Sequence, residues 1–295
     1  MTKGKKMRMW SVEGNGQWLD GGSMFGNAPK ALWSRWCEPD EQGRIRLSCR
    51  SMLLETRHGT ILCETGIGDY MEPKMSERFG VEPGGHRLLE NLSALGKSED
   101  DIDYVILSHL HFDHAGGLLP SYQESRGGDY DLLFKNARYI VGEEAFARAE
   151  TPHFRDRASF IPHLTEKLKA SGRLKIVPKG KNLPELAPEI DFMESHGHTP
   201  GQLLTIVRGD SETVIFAGDL IPGVPWVNLP ITMGYDRFPE LLINEKESLY
   251  KTLVPEQWRI FFTHDSNVAV AGVRLNEKGK YEATDPKKNV AEFAL

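Results

Sequence analysis

Three histidines and an aspartate lie within six residues of one another in the middle of the chain: His109, His111, Asp113 and His114. Imidazole nitrogens and carboxylate oxygens are common protein ligands for transition metals. In extended backbone, side chains two residues apart point to the same side, so His109 and His111 can hold one ion. Asp113 and His114 follow where the backbone bends, and they can reach a second ion about 3.5–4 Å away, as in two-metal hydrolases.

The surrounding residues favour this interpretation over the alternative, a histidine-rich surface turn. Residues 103–108 have the apolar pattern of a buried strand, and residues 115–117 are expected to form a tight turn. The cluster should therefore lie where a strand ends, which is where functional sites are often found in α/β proteins.

A site for two metals needs more ligands, and three downstream segments can supply them directly after apolar, strand-like runs: His198 after 190–194, Asp219 after 213–217 and His264 after 259–263. Each signal is weak alone, because an aspartate after a strand is usually a turn or cap residue. His198 could complete a three-histidine set with His109 and His111. Asp219, at the tip of its strand, could bridge both ions.

In this order the residues resemble the metallo-β-lactamase superfamily, whose members bind two metals through an HxHxDH motif, a later histidine, a bridging aspartate and a last histidine. The resemblance implies an α/β fold of the αββα sandwich type, with the metal site at one edge of the two sheets. It also implies ligand sets that share one carboxylate: a first metal on His109, His111 and His198, a second on Asp113, His114 and His264, and Asp219 on both. Nitrogen and oxygen donors favour two Zn²⁺ ions, with iron, manganese or cobalt as alternatives.

Residues 20–26 and 233–236 resemble a subfamily, the quorum-quenching lactonases. The expected reaction is attack by a metal-bridging hydroxide on a carboxylic ester, most simply a lactone such as an N-acyl homoserine lactone. Asp113 and Asp219 would act as catalytic residues that orient the nucleophile, and Asp113 would also pass a proton to the leaving group. The alternatives are a phosphotriester (organophosphate) or thioester hydrolase on the same site, and a non-catalytic or mono-iron redox member.

Two positions depart from the family pattern. Glu64 stands where many members have an aspartate that supports the metal ligands, and such supporting partners are sensitive to side-chain length. Pro222 stands where the better-known lactonases have a tyrosine that contacts the lactone. Tyr235 is a candidate to replace that hydroxyl. His196, two residues before His198, is a candidate supporting residue.

The predicted substrate-binding residues are Met24, Phe25 and Tyr235, within aromatic and methionine-rich segments that also include Trp33, Trp36, Trp226, Met233 and Phe238. These side chains could line an apolar pocket for an acyl chain, or they could pack a core or a dimer contact. Residues 1–295 are expected to form one domain. By resemblance, its N-terminal segment, about 1–40, would wrap the site or the partner in a homodimer.

Composition is consistent with a soluble enzyme, and the resemblance implies a small-molecule ester or lactone as its substrate. The net charge of −6 over 295 residues argues against nucleic-acid binding. The sequence has no apolar run long enough to span a membrane and no signal-peptide core, so we expect a cytoplasmic protein without membrane contact. The three cysteines lack CxxC spacing and are expected to be reduced thiols, with Cys49 and Cys63 buried.

Strands are predicted at 45–55, 60–63, 104–108, 138–141, 173–176, 202–207, 213–217 and 259–263, in addition to 190–194. Helices are predicted over 86–95 and from Pro239 to Leu253. This interleaving of strands and helices indicates a layered α/β fold.

Overall fold

The structure is a computed structural model that describes residues 6–126, 128 and 130–295. Its strands are β1 Arg8–Glu13, β2 Gln17–Asp20, β3 Arg44–Leu47, β4 Arg50–Thr56, β5 Gly59–Cys63, β6 Tyr104–Leu107, β7 Arg138–Gly142, β8 Leu174–Val177, β9 Ile190–Ser195, β10 Gln202–Arg208, β11 Thr213–Phe216, β12 Arg259–Phe261, β13 Val270–Leu275, β14 Tyr281–Lys287 and β15 Phe293–Ala294. Its helices are α1 Gly21–Phe25, α2 Lys30–Trp33, α3 Pro73–Arg78, α4 Arg87–Ala94, α5 Phe112–Ala115, α6 Tyr122–Ser125, α7 Glu143–Glu150, α8 Leu164–Ala170 and α9 Pro239–Leu253.

The strands build two large sheets and a separate two-stranded ribbon. The first sheet has the order β15-β1-β4-β5-β6-β7-β8, and the second has the order β14-β13-β12-β11-β10-β9. The β2-β3 ribbon is antiparallel and stands apart from both. Strands β5 to β8 run parallel, as do β11 and β12, so several strands in each sheet present their carboxyl ends at the same edge.

Alternating apolar residues divide the interior into three cores. In β5, Ile61 and Cys63 face the core between the sheets, whereas Leu62 faces the core under α4, α7 and α8. In β11, Phe216 faces the core between the sheets, whereas Ile215 faces the core under α9. Because strand side chains alternate between faces, each sheet is covered on both sides. The layers are therefore helix, sheet, sheet, helix, which confirms the predicted αββα arrangement.

Most predicted elements are present, but two were wrong in detail. The predicted strand 45–55 is divided into β3 and β4, which belong to different sheets. The predicted tight turn at 115–117 is instead helical, because α5 continues into a 3₁₀ turn over 116–118. A Cβ on Gly116 would lie 2.2 Å from the Ile67 carbonyl oxygen, and one on Gly117 would lie 2.0 Å from the Thr65 carbonyl oxygen. Both glycines are therefore needed for close packing on the segment after β5.

The N-terminal segment packs against the second sheet through an aromatic stack. Its aromatic side chains stack: the Phe25 ring lies 4.5 Å from the Trp226 ring and 5.7 Å from the Trp33 ring, nearly parallel to both. This stack belongs to the core under α9.

Cys49 and Cys63 are buried as predicted. No helix of the described residues is long and apolar enough to cross a membrane.

Candidate metal centre

The predicted ligands come from the ends of strands in both sheets. His109 and His111 follow β6, and His111 directly precedes α5, which carries Asp113 and His114. From the second sheet, the remaining ligands lie in the β9–β10 loop, in a 3₁₀ turn after β11 and just after β12: His198, Asp219 and His264. Because β10, β11 and β12 are neighbours, these three residues reach the same edge.

The first predicted ligand set converges through imidazole nitrogens. Nε2 of His109 lies 3.0 Å from Nδ1 of His111, and Nε2 of His198 lies 3.3 Å from that same Nδ1. All three rings are buried. Three nitrogens that face a common point in this way have the arrangement expected of ligands to one ion.

The second predicted set converges beside the first. Nε2 of His114 lies 3.3 Å from Nε2 of His264, and the Asp113 carboxylate lies 3.7 Å from the former and 3.6 Å from the latter. The Asp113 side chain is 13% exposed, whereas that of His114 is fully buried. Asp113 is thus the member of this set that is most open to a substrate.

Asp219 joins the two sets. Its Oδ2 lies 3.2 Å from Nε2 of His198 in the first set, and its Oδ1 lies 3.2 Å from Nε2 of His264 in the second. A carboxylate that contacts a ring nitrogen from each set is placed to be shared between two ions. This is the geometry that the bridging role predicted for Asp219 requires.

In most of the proposed histidine ligands, the ring nitrogen that faces away from the cluster also has a hydrogen-bonding partner. Nδ1 of His198 pairs with Oδ1 of Asp236 at 2.9 Å, Nδ1 of His264 with the carbonyl oxygen of Ser48 at 2.7 Å, and Nδ1 of His109 with the Ser108 hydroxyl at 2.9 Å. Such contacts fix the ring orientation and the tautomer of a metal ligand. The pattern therefore leaves the other nitrogens of these rings to point into the cluster.

Glu64 occupies the supporting position that the family pattern gives to an aspartate. Its Oε2 lies 3.1 Å from Nδ1 of His114, and its Oε1 accepts a hydrogen bond of 2.8 Å from the backbone N–H of Ser108. The backbone of Glu64 has φ of +69°, a left-handed conformation that costs energy for a residue with a side chain. The longer side chain thus reaches both partners from a strained backbone position.

Electrostatics divide the buried imidazoles into two groups. Burial and neighbouring imidazoles hold the pKa of His109 and His111 well below the usual range. Burial also opposes the charged form of His114 and His264, but the carboxylates of Asp219 and Asp113, acting together with other neighbours, outweigh it and raise the pKa of both rings well above that range. The same imidazoles hold the pKa of Asp219 well below its ordinary value, although burial acts in the opposite direction.

These residues fit a divalent transition metal. Pairs of imidazole nitrogens lie 3.0 to 3.3 Å apart, where two neutral rings can share only one proton. Asp219 Oδ1 is buried without a hydrogen-bond partner among the described residues. Nitrogen and carboxylate donors without thiolates suit zinc and its first-row neighbours. A bound cation would satisfy lone pairs that the protein alone leaves facing one another.

A cavity of about 670 Å³ opens over this centre. Met24 and Tyr235 line it, as do Met233 and the proposed ligand Asp113. Phe25 does not: it is fully buried in the stack with Trp33 and Trp226, so the structure gives it a packing role in place of the predicted substrate contact.

The other candidates are divided between packing, surface and a second cavity. Trp33 is buried in the core under α9, Phe238 is 52% exposed, and Trp36 and Trp226 line a separate cavity of about 640 Å³ that also reaches His264. The His196 ring accepts a hydrogen bond of 3.0 Å from the Gly201 N–H. It also lies 3.2 Å from the Glu144 carboxylate, so among the described residues its contacts stabilise the β9–β10 loop and do not reach the proposed ligands.

Sequence reasoning missed several supporting residues. Gln17 Nε2 donates to Oδ2 of Asp113 at 2.6 Å, although Gln17 lies 96 positions earlier. Asp236 was noticed only as part of the lactonase-like segment 233–236, although it both holds His198 and accepts a hydrogen bond of 2.6 Å from the Met233 N–H. For Gln17 and the Ser48 carbonyl group no local signal exists, because only the fold brings them to the site.

Comparison with known proteins agrees with this geometry. The sequence model of the Metallo-beta-lactamase superfamily matches residues 44–264, a span that begins at β3 and ends at the last proposed ligand, His264. The chain belongs to the metallo-beta-lactamase superfamily. It is thus a metallo-hydrolase of that superfamily, with a histidine-rich group suited to metal binding.

Relatives within the superfamily include lactonases. The chain is 29% identical over 237 residues to the N-acyl homoserine lactonase AiiA of Bacillus thuringiensis subsp. kurstaki, with 72% of this chain and 79% of AiiA covered. A solved structure of a probable metal-dependent hydrolase from Staphylococcus aureus matches with a TM-score of 0.82 at 26% identity, covering 100% of this chain and 99% of the other. AidC, described as a dizinc quorum-quenching lactonase, matches with a TM-score of 0.72 at 21% identity and 95% coverage of each chain, which supports the fold.

Proposed function

We propose that this protein is a metal-dependent hydrolase of carboxylic esters, with lactones such as N-acyl homoserine lactones as the favoured substrate class. The observation that carries the proposal is the pair of ligand sets joined by Asp219 at the base of a cavity of about 670 Å³. The similarity to AiiA, an N-acyl homoserine lactonase, supports the choice of a lactone.

The proposed ligands are His109, His111 and His198 for one ion, and Asp113, His114 and His264 for the other, with Asp219 shared. Zinc is the favoured metal, and iron, manganese or cobalt would suit the same donors. When bound, the ions would supply Lewis acidity for the scissile carbonyl group and lower the pKa of a water molecule.

The chain's own residues would then hold and move protons. Asp113 lines the cavity, and its Oδ2 accepts a hydrogen bond from Gln17, so its carboxylate is oriented and also open to substrate. We assign Asp113 the acceptance of a proton from the attacking water and its transfer to the departing alkoxide. Asp219 would orient the same water from its position between the sets.

The lining of the cavity would position the substrate. Met24 and Met233 offer apolar contact for an acyl chain. Pro222 has no hydroxyl and contributes instead its carbonyl oxygen, which accepts from the His264 N–H at 3.0 Å. Tyr235 lines the cavity and is 41% exposed, so its hydroxyl is our candidate for the contact to the substrate carbonyl oxygen.

The test is a substrate panel on the full chain, first stripped of metal with a chelator and then loaded with zinc or cobalt. The panel contains lactones of increasing acyl length, a glutathione thioester and a phosphotriester. We expect loaded protein to open lactones and stripped protein to be inactive. Turnover of the phosphotriester or thioester alone would contradict the proposal, and a loaded protein that binds only one ion per chain would contradict the two-metal site. A cytoplasmic location and a homodimer wrapped by the N-terminal segment remain predictions.

A further inference from the structure

The cavity over the proposed metal centre is rich in positive charge. Its lining includes four arginines: Arg44, Arg78, Arg155 and Arg237. The chain as a whole carries a net charge of −6, so this concentration of guanidinium groups is not a consequence of composition. Guanidinium groups that line a cavity raise the local concentration of anionic ligands where neighbouring carboxylates do not neutralise them.

Three of these arginines lack a carboxylate partner. Arg44 pairs with Asp40, with Nε 2.8 Å from Oδ2. Within the described part of the chain, no carboxylate oxygen lies within ion-pair distance of Arg78, Arg155 or Arg237. A guanidinium group has five N–H donors, so one that no carboxylate pairs with keeps donors available to a ligand.

The three groups reach the cavity from separate segments that the fold holds in place. Arg155 donates to the carbonyl oxygen of Gly234 at 3.1 Å, and this contact joins the 151–160 segment to the loop that carries Tyr235. The backbone N–H of Arg237 donates to the carbonyl oxygen of His198 at 3.1 Å, so this arginine lies beside a proposed metal ligand. Arg78 ends α3.

Carboxylates in the lining do not cancel this charge. Apart from the proposed ligands Asp113 and Asp219, the lining contains Asp20 and Asp156. Asp156 is already paired, since one of its oxygens accepts from Nε and NH2 of Arg148 at 3.0 and 2.7 Å. Only Asp20 remains to balance the arginines, and its Oδ1 caps the Ser23 N–H at 2.7 Å.

We infer that the natural substrate is an ester or lactone with an anionic group, a carboxylate or a phosphate, on the part of the molecule away from the scissile bond. Arg78, Arg155 and Arg237 would select that group, because guanidinium presents paired N–H donors that match carboxylate and phosphate oxygens. This inference rests on the proposed function. It narrows the substrate class, since a neutral acyl chain would make no use of these donors.

The experiment compares three γ-lactones of equal length, with side chains that end in a carboxylate, a phosphate or a primary amide, on zinc-loaded full-length protein. We expect kcat/KM for at least one anionic lactone to exceed that for the amide by about tenfold, or ~1.4 kcal/mol. The preference should shrink at high salt. It should be lost in the triple variant Arg78→Gln, Arg155→Gln, Arg237→Gln. Arg35→Gln is the matched control, because Arg35 is exposed and does not line the cavity.

A second measurement separates this inference from the proposed function. Calorimetry on metal-free protein compares the ring-opened acids that carry the carboxylate, the phosphate or the amide. Tighter binding of an anionic acid by about tenfold, abolished in the triple variant and kept in Arg35→Gln, supports the inference even if no lactone is turned over. Equal kcat/KM together with equal affinity for all three side chains would overturn it, and lactone hydrolysis would then stand without the anionic selectivity.

Discussion

Asp219 contacts ring nitrogens from both ligand sets, at 3.2 Å from His198 and 3.2 Å from His264. The other proposed carboxylate ligand, Asp113, is more exposed, and its ion pairs among the described residues are with histidines of the second set. His196 offers the contrasting case. It lies two residues from a proposed ligand, yet its ring contacts the Gly201 N–H in its own loop and the Glu144 carboxylate on α7.

The matched pair Asp219→Ala and His196→Ala tests this difference. Removal of Asp219 takes a ligand from both ions, so we expect loss of bound metal and a fall in kcat/KM of at least about a hundredfold, beyond the effect of losing a supporting partner. His196→Ala should keep most of its metal and activity. Elemental analysis and initial rates on purified protein measure both. Equal losses from the two variants would show that the ligand in the 196–198 segment has been misassigned.

The buried imidazoles also predict how metal uptake depends on pH. Burial opposes protonation, but Asp219 and the other neighbouring carboxylates together outweigh it and raise the pKa of His114, His198 and His264. A metal must therefore displace protons from these rings. We expect zinc affinity to rise with pH between about 6 and 8, with proton release on binding. Titration calorimetry in buffers of different ionisation enthalpy measures the released protons, and an affinity that does not change with pH would contradict the prediction.

At the scale of the element, α9 holds two loops of the site through adjacent residues. The Glu245 carboxylate accepts from the Ser195 hydroxyl at 2.7 Å and from the backbone N–H groups of His196 and Gly197 at 2.7 and 3.1 Å. Lys246 is fully buried, and its Nζ donates to three backbone carbonyl groups, of residues 228, 229 and 231, at 3.0 to 3.1 Å. The first loop carries His198, and the second leads to its partner Asp236.

Glu245→Gln should therefore weaken both the fold and the first ion's site. A neutral amide cannot accept all three hydrogen bonds, and its NH₂ group would face N–H donors. We expect the free energy of unfolding to fall by about 1–3 kcal/mol and the affinity for the first ion to fall about tenfold. Glu247→Gln is the control on the same helix, because Glu247 is exposed and its one ion pair among the described residues is with Lys251, at 3.2 Å. Urea unfolding and a zinc competition assay give both values, and equal effects from the two variants would refute the role of Glu245.

Elements with strong internal patterns could be predicted from the sequence. The apolar runs that became β5, β6, β7, β10 and β11 were identified, as were α4 and α9. Strands β1 and β14 were not, because their sequences mix charged and apolar residues and lie at or near the edge of a sheet. The edge strand β15 has only two residues and is too short to show a pattern. The split between β3 and β4 was also missed, since the residues at the break, Ser48 and Cys49, are buried and give no turn signal.

At the scale of the whole molecule, the proposed ligands were predictable because each follows a strand, and the resemblance supplied the fold that brings them together. What holds the ligands was mostly not predictable. Gln17 and the Ser48 carbonyl group come from the N-terminal third of the chain and meet Asp113 and His264 only after both sheets have packed. Long-range contacts of this kind have no local pattern, so they are visible only in the structure.

The same architecture makes the metal a link between the two sheets. His109, His111 and His114 follow β6 in the first sheet, whereas His198, Asp219 and His264 come from the second. Bound ions would therefore stabilise the contact between the sheets as well as the site, and ligands that bind only the folded chain raise its stability by mass action.

Removal of metal should for this reason lower the thermal stability of the whole chain. With zinc at about a thousand times its dissociation constant, binding to the folded state raises the free energy of unfolding by ~4 kcal/mol. For a chain of this size, that corresponds to a Tm about 10 °C higher than that of stripped protein. Zinc should restore the Tm in a concentration-dependent way, whereas magnesium should not, because Mg²⁺ prefers oxygen ligands. Calorimetric scans of stripped and reloaded protein measure the shift. Asp219→Ala should show little of it, and an unchanged Tm in the wild type would contradict the prediction, because it would show that zinc does not bind the folded chain in preference to the unfolded one.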